Sequence, residues 1–344
     1  MRRAGSWLWA ALILVLGAAA VAAFALPTGQ YLVTPGVTQN LNRIVSVSGG
    51  TRPRHGRILM VAVGVEPANW AQVLTAGFNP ADELLPGGAL MPAGMSFNQY
   101  VKLSMLEMQQ SHADAQAAAF RALGMRVTTL APQVYVAGVE AGGPSQGHLQ
   151  VMDRLISVAG HRVTSATMVV NLMHSIEPGT TVKVEVARGA KTLTVPVATR
   201  VSPIDNRSAF LGVELMQIAP YRFPRKVSIK TADIGGPSAG MMFSLAIIAQ
   251  TRPEISFPGN AVVAGTGEIT PTGQVEPIGG AGAKVLTAYR SGATLFLCPT
   301  ANYAAAAAVK RALDIPIRIV PVSSLSQALA AVGYQRSGSA QALG

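Results

Sequence analysis

The chain has 344 residues with an apolar fraction of 49%, enough for two or three compact units with sizeable cores. Its formal charge is +11 at pH 7, yet basic residues exceed acidic ones by only two, two, two and five in residues 1–27, 28–130, 131–200 and 201–344. A nucleic-acid surface requires basic residues clustered on one element. The even spread therefore argues against a nucleic-acid partner, and the single cysteine, Cys298, excludes an intramolecular disulfide and a cysteine-based metal site.

The N-terminal segment predicts a membrane anchor. An uncharged stretch from Ser6 to Leu26 follows Arg2 and Arg3. About 20 apolar residues cross a bilayer as a helix, and flanking arginines stay in the cytoplasm. We therefore expect residues 1–27 to form a single-pass transmembrane helix in the cell membrane, with the N-terminus cytoplasmic and the rest of the protein extracytoplasmic. A cleaved signal peptide is the alternative, because Ala23-Phe24-Ala25 resembles a small-residue cleavage site.

Residues 28–130 carry no recognisable motif but contain two clear elements. Arg57 to Gly64 is predicted to be a buried strand. Ser96 and Gln99 form a capping-box pair at the start of a long helix predicted over 97–123. We expect an uncharacterised N-terminal region with a strand and a long helix.

The texture changes at about residue 131 to short β-type runs separated by turn residues. A helix-like spacing covers Thr167 to Ser175. A small β-rich module over residues 131–202 fits this pattern. Its predicted strands lie at 134–139, 155–158, 182–186 and 192–195.

This module resembles a bacterial PDZ domain through Val134 to Ser145 and Leu149 to Gly160. Met152 departs from that family, which usually has glycine in the turn before Asp153. PDZ domains bind extended peptide tails by adding a strand to a sheet edge. The resemblance therefore implies a module that binds protein or peptide substrates, and a packing module that binds nothing is the alternative.

Residues 208–334 alternate strand-like and helix-like stretches, the texture of an α/β or α+β domain. The last elements predicted are a helix from Asn302 to Leu313, a strand from Ile317 to Val320 and a helix near Leu325 to Val332. The tail at residues 335–344, rich in Ser, Gly and Ala, is predicted to be disordered.

The segment Gly235-Gly-Pro-Ser-Ala-Gly240 carries a candidate for chemistry. It precedes an apolar helix predicted over 241–250, so Ser238 lies beside unpaired helix N–H groups that could stabilise an oxyanion. A phosphate cradle would use the same physics, but GxxxxGK[ST] is absent from the sequence, and a nucleotide-driven machine is unsupported. The alternative without chemistry is a tight turn into a buried helix.

A serine nucleophile needs a base, and the chain has no histidine beyond His174. Lys284 stands out because Pro277 to Lys284 is rich in glycine and leads into a helix bordered by apolar residues. A lysine in apolar surroundings loses solvation of its charged form, its pKa falls, and it can accept a proton near neutral pH. A Ser-Lys dyad is therefore chemically reasonable.

Residues 208–334 resemble the proteolytic domain of Lon-type proteases. Two separated motifs carry the resemblance, Gly236-Pro-Ser-Ala-Gly240 and Gly265 to Gly280 followed by Lys284. The resemblance implies that Ser238 is the acylated nucleophile, Lys284 its general base and Thr266 a supporting hydrogen-bonding residue. The other supporting positions that it implies are Gly236, Pro237 and Ala239.

One position departs from this family, since Gly235 replaces an acidic residue common in ATP-dependent members three positions before the serine. The family's ATPase module is missing from the sequence. Lon-type domains commonly form six-membered rings, so the resemblance also implies a homo-oligomer, a hexamer by that resemblance.

The whole order resembles the bacterial PDZ-containing Lon-like proteases of the YlbL type. We expect an α+β and α/β multidomain protein with a transmembrane helix, a small β-rich PDZ-like domain and a C-terminal Lon-type α/β domain. The predicted function is a membrane-anchored, ATP-independent serine endopeptidase without cofactor or metal, acting on envelope or membrane-associated proteins. The alternatives are a catalytically silent, anchored PDZ adaptor and an enzyme that processes mainly itself.

Overall fold

The computed structural model describes residues 3–53, 56–91, 95–231, 234–252 and 261–333. Its helices and strands fall into three consecutive stretches of the chain, which end at Ala122, Arg222 and Ala331. The first contains α1 (Arg3–Ala25), β1 (Pro27–Asn40), α2 (Leu41–Ile44), β2 (Val45–Val47), β3 (Arg57–Asn69), α3 (Trp70–Thr75), β4 (Glu83–Pro86), α4 (Gly87–Leu90) and α5 (Phe97–Ala122). A 3₁₀ turn at Ala76–Phe78 follows α3.

The second stretch contains β5 (Thr128–Thr129), β6 (Gln133–Val139), β7 (Arg154–Val158), β8 (His161–Arg162), α6 (Ala166–His174), β9 (Thr181–Arg188), β10 (Lys191–Ala198), β11 (Arg200–Val201), β12 (Ala209–Phe210), β13 (Val213–Ile218) and β14 (Tyr221–Arg222). The third contains β15 (Val227–Ile229), α7 (Gly240–Thr251), β16 (Val262–Gly265), β17 (Glu268–Ile269), β18 (Val275–Glu276), α8 (Ala281–Arg290), β19 (Leu295–Pro299), α9 (Tyr303–Ala312), β20 (Arg318–Val322) and α10 (Leu325–Ala331). A 3₁₀ turn at Thr300–Asn302 precedes α9.

The N-terminal helix α1 lies where the sequence predicts a membrane anchor. In the ranges that the structure describes, no helix is long and apolar enough to cross a membrane. The transmembrane helix expected at residues 1–27 is therefore not supported here and stays a prediction. The disordered tail expected at residues 335–344 lies outside the described residues.

The main sheet has the strand order β20-β19-β16-β3-β1-β4. The strands from β20 to β3 run parallel, whereas β1 is antiparallel to both β3 and β4. Successive residues of β3 face opposite sides, as the period of a strand requires. Ile58 and Met60 enter a core formed with α5, α7 and α10, while Leu59 and Val61 enter a second core formed with α8 and α9. Strands of the first and third stretches thus build one sheet covered by helices on both faces.

The main sheet includes strands from two of the predicted ranges of the chain. Residues 28–130 were predicted to be an N-terminal region with a strand and a long helix, and their strands β1, β3 and β4 belong to the same sheet as β16, β19 and β20 of residues 208–334. The helix predicted over 97–123 is confirmed as α5, with both hydrogen bonds of the capping box between Ser96 and Gln99. The C-terminal helices and strand predicted near 302–313, 317–320 and 325–332 are also present, as α9, β20 and α10.

The PDZ-like module forms a second sheet with the order β10-β9-β7-β6-β13. The strand β13 falls within residues 208–334, the predicted Lon-type segment, yet it pairs with β6 of the module. The strands β5 and β14 pair with each other, and Leu130 N donates to Pro220 O at 2.8 Å. The module therefore leaves and re-enters the rest of the protein through two adjacent strands, as an insertion between α5 and β15.

The turn that departs from the PDZ family has the backbone conformation that favours glycine. Met152 has φ +78°, in the left-handed region, and its N–H donates to Val136 O at 2.9 Å. The next residue, Asp153, is 1% exposed and accepts from Arg188 Nε at 2.7 Å and Nη2 at 2.6 Å. The turn thus delivers a buried carboxylate to a bidentate arginine, and the methionine adopts the required conformation at a cost.

Candidate active site

The GGPSAG loop, Gly235 to Gly240, lies between β15 and α7, leads into the N-terminus of α7 and carries Ser238. Gly236 has φ +88°, which an L side chain adopts only with strain. At Gly235 a Cβ would stand 2.8 Å from the Cβ of Ser104 on α5. The acidic residue common in the Lon family has no room here, because α5 occupies its place.

Ser238 and Lys284 meet in the structure. The distance from Lys284 Nζ to Ser238 Oγ is 2.8 Å, within hydrogen-bonding range. Ser238 is partly exposed, whereas Lys284 is 2% exposed. The two residues predicted as nucleophile and base are thus arranged as an accessible hydroxyl beside a buried amine.

Thr266 directs the lysine toward the serine. Its hydroxyl donates to Ser238 O at 2.9 Å and lies 3.1 Å from Lys284 Nζ. A hydroxyl has one hydrogen, so with that hydrogen on Ser238 O it accepts a hydrogen from Lys284. A neutral amine bound in this way keeps its lone pair for the Ser238 hydroxyl.

Burial sets the protonation of Lys284. Its side chain extends from the first turn of α8, and desolvation lowers its pKa from 10.5 to about 7. A group with this pKa is neutral in a large fraction of molecules at pH 7. Lys284 can therefore accept a proton under physiological conditions.

The supporting residues act through their backbone. Pro237 O accepts from Gly240 N at 3.2 Å, and Ser238 O accepts from Gly267 N at 2.7 Å. Within the described part of the chain, the N–H groups of Ser238 and Ala239 donate to no protein acceptor. Two free N–H groups next to a partly exposed serine hydroxyl have the chemistry to bind an oxyanion.

Ser238 and Lys284 line an open cleft of about 390 Å³. Its walls come from the GGPSAG loop, β1, β3, α5 and the start of α8, and they are mostly apolar. Among the lining residues are Val33, Met60, Val63, Tyr100, Met105 and Met108. A mostly apolar concave lining with a few polar groups is the usual form of a ligand-binding site.

Glu107 of α5 is the carboxylate that lines this cleft among the residues that the structure describes. Burial raises its pKa to about 7, with contributions from the nearby charges of Glu268 and Glu214. No sequence motif selects Glu107, nor Ser104 and Ser111 on the same helix. They belong to a helix that is recognisable from sequence by its capping box, and its approach to the GGPSAG loop is a tertiary contact.

Among the described residues, no group of three or more histidine, cysteine, aspartate or glutamate side chains is placed to hold a metal ion. Separately, a serine hydroxyl beside a neutral amine is a pair of groups capable of acyl transfer.

Two family models match separate parts of the chain. Residues 121–199 match the PDZ domain, and residues 230–333 match the Lon protease (S16) C-terminal proteolytic domain. The chain therefore combines a PDZ domain with a Lon-type proteolytic domain, as the motifs indicated.

Similar curated proteins include three bacterial Lon proteases. That of Chloroflexus aggregans is 29% identical over 131 residues, 38% of this chain and 16% of that protein. That of Rickettsia bellii is 36% identical over 131 residues, 36% of this chain and 16% of that protein. That of Rhizobium meliloti is 37% identical over 95 residues, 28% of this chain and 11% of that protein. The chain spans only 11% to 16% of the length of these relatives.

Similar solved structures include two PDZ domains from SdrC-like proteins of Listeria. The domain from Listeria monocytogenes has 23% sequence identity and a TM-score of 0.23, covering 24% of this chain and 86% of that chain. The domain from Listeria innocua has the same identity and TM-score, covering 24% of this chain and 92% of that chain.

Proposed function

We propose that the protein is a serine endopeptidase in which Ser238 is the nucleophile and Lys284 the general base. The observation that carries the proposal is the 2.8 Å contact between Ser238 Oγ and the buried Lys284 Nζ, two residues that line a mostly apolar cleft. The 344 residues contain no GxxxxGK[ST] motif, so the hydrolysis is proposed to need no nucleotide.

The mechanism follows from the positions of the two groups. Neutral Lys284 takes the proton of Ser238 as Oγ attacks the carbonyl carbon of the scissile peptide bond. The N–H groups of Ser238 and Ala239 bind the oxyanion, and the protonated lysine then gives its proton to the leaving amine. A water molecule, deprotonated by Lys284, attacks the acyl-enzyme ester; the ester bond to Ser238 Oγ breaks, Lys284 returns the proton to Oγ, and the second product leaves as the acid.

The dyad is tested with Ser238→Ala and Lys284→Ala in turnover of a fluorogenic peptide library. Each variant should lose at least about 10³-fold in kcat, as catalytic serine and base variants do elsewhere. Ser244→Ala is the matched control, because Ser244 is a buried α7 serine whose hydroxyl contacts the backbone of Ala115 and Gly240. Full turnover by a folded Ser238→Ala variant contradicts the proposal. Wild-type protein that binds peptide tails, but neither cleaves peptides nor is labelled at Ser238 by a peptide-based electrophile, supports the adaptor alternative.

The PDZ domain is proposed to bind the tails of substrate proteins. In the described sheet β13 pairs with β6 on one side only, and its other side faces the start of α6, where Ala166 N donates to Gln217 Oε1 at 3.1 Å. An extended tail adding a strand to this edge would lie beside α6. Fluorescence anisotropy with labelled C-terminal peptides tests this role, and a library without any binder would leave the domain as a packing module.

The membrane anchor at residues 1–27 is proposed on the sequence alone. Full-length protein should stay with the membrane during alkaline extraction, and its catalytic part should be open to protease from the extracytoplasmic side. Mass measurement of the mature chain separates the alternatives: a chain beginning near residue 26 indicates a cleaved signal peptide. Cleavage that disappears in Ser238→Ala indicates self-processing.

A homo-hexamer is likewise a proposal from family resemblance, to be checked by mass in solution.

A further inference from the structure

The nucleophile is preceded by a peptide bond that α5 holds in place. Ser111, 3% exposed on α5, donates its hydroxyl hydrogen to Pro237 O at 2.9 Å. This carbonyl belongs to the peptide unit that also contains the N–H of Ser238. Ser111 lies outside both family matches, which cover residues 121–199 and 230–333.

The peptide unit transmits this hydrogen bond to the active site. A trans peptide is planar, and its N–H points away from its C=O. Fixing Pro237 O therefore fixes the direction of the Ser238 N–H, one of the two free donors beside the nucleophile. The next unit is held in the same way, since Ser238 O accepts from Gly267 N at 2.7 Å and Thr266 Oγ1 at 2.9 Å, which fixes the Ala239 N–H.

We propose that Ser111 is a positioning residue of the endopeptidase, which orients the Ser238 N–H for the oxyanion. The inference rests on the proposed function. Ser111 touches neither substrate nor the reacting atoms, and its effect passes through the Pro237–Ser238 peptide unit. Backbone donors aimed in advance stabilise the transition state more than the bound substrate.

The test is Ser111→Ala in steady-state turnover of a fluorogenic peptide. Removing an oxyanion donor outright costs about 10²–10³ in kcat elsewhere, so misorienting one should cost about 10-fold in kcat with little change in KM. Inhibition by a peptide aldehyde, whose adduct with Ser238 carries the oxyanion, should weaken by a similar factor. Ser111→Thr, which keeps the hydroxyl, should restore most of both.

The control is Ser244→Ala, which removes another buried hydroxyl between α7 and α5 without touching Pro237 O. It should keep kcat and aldehyde inhibition while losing comparable thermal stability. A folded Ser111→Ala variant with wild-type kcat and aldehyde affinity overturns the inference, as does an equal loss of kcat in Ser244→Ala. The proposed function fails separately, if Ser238→Ala keeps wild-type turnover.

Discussion

Lys284 shows how one side chain can be unfavourable for stability and useful for chemistry. It is 2% exposed, and its pKa falls from 10.5 to about 7 because the buried ammonium form is poorly solvated. Between pH 10.5 and pH 7 Lys284 becomes protonated in the unfolded chain but stays mostly neutral in the folded one, so the folded state loses stability as the pH falls through this range. The same depression leaves a neutral amine beside Ser238 at pH 7.

The pH dependence of turnover follows from this pKa. Lys284 accepts a proton only when neutral, so kcat/KM should rise with pH through a transition near 7 and level off above it. Glu107 lines the same cleft and also has a pKa of about 7. The pH–rate profile of Glu107→Gln is the control: a transition that persists there belongs to Lys284, and one that vanishes belongs to the carboxylate.

Met152 offers a stability prediction at a single backbone position. Its φ of +78° costs an L residue about 1–2 kcal/mol, a cost that glycine does not have. Glycine in turn loses about 0.5–1 kcal/mol more backbone entropy on folding, so a substitution regains only part of that cost. Met152→Gly should therefore stabilise the PDZ domain by up to about 1 kcal/mol, measured by urea unfolding. A destabilised variant would show that the methionine side chain contributes more by packing than its backbone loses.

The end of the strand β9 contacts the buried turn before β7 through an ion pair. Arg188 on β9 binds both oxygens of Asp153, which is 1% exposed. Removing one partner of a buried ion pair leaves an uncompensated charge, so Arg188→Met should cost about 3 kcal/mol in the free energy of unfolding. Arg162→Met, on the exposed strand β8, is the matched control and should stay within about 0.5 kcal/mol of wild type. Equal effects of the two variants would contradict a specific role for the pair.

Elements were predictable from sequence where local signals define them. The capping box of Ser96 and Gln99 and the glycine after the helix mark α5, and the structure confirms that helix. Its contact with the GGPSAG loop was not predictable, because Ser111 and Pro237 are 126 positions apart in sequence and no local pattern indicates such a contact. The pairing of β13 with β6 was not predictable for the same reason. Strand pairing is decided by tertiary packing, and a turn-rich segment separates β13 from the other strands of the module.

At the scale of the whole molecule, the main sheet is formed by strands that precede the PDZ domain in the chain and strands that follow it. The motifs identified Ser238 and Lys284 because both lie in the third stretch. The cleft beside them was not predictable, since its walls include β1, β3 and α5 from residues that carry no motif. The same helix α5 contacts the PDZ domain, where Gln99 Nε2 donates to Val139 O at 3.2 Å, and the GGPSAG loop, where Gly236 N donates to Ser104 O at 2.7 Å.

The insertion geometry predicts that the PDZ domain can be removed. Because Leu130 N and Pro220 O are 2.8 Å apart, a short glycine-rich link from Thr129 to Tyr221 can replace the residues between them without disturbing the main sheet. The shortened protein should keep turnover of short fluorogenic peptides, since these fill the cleft without a tail. It should lose about 100-fold in kcat/KM for a protein substrate whose tail the PDZ domain binds, because tethering raises the local substrate concentration. Ser238→Ala in the shortened protein controls for the source of turnover. A folded shortened protein that cannot cleave short peptides would instead show that the contact of α5 with the PDZ domain is needed to hold the GGPSAG loop.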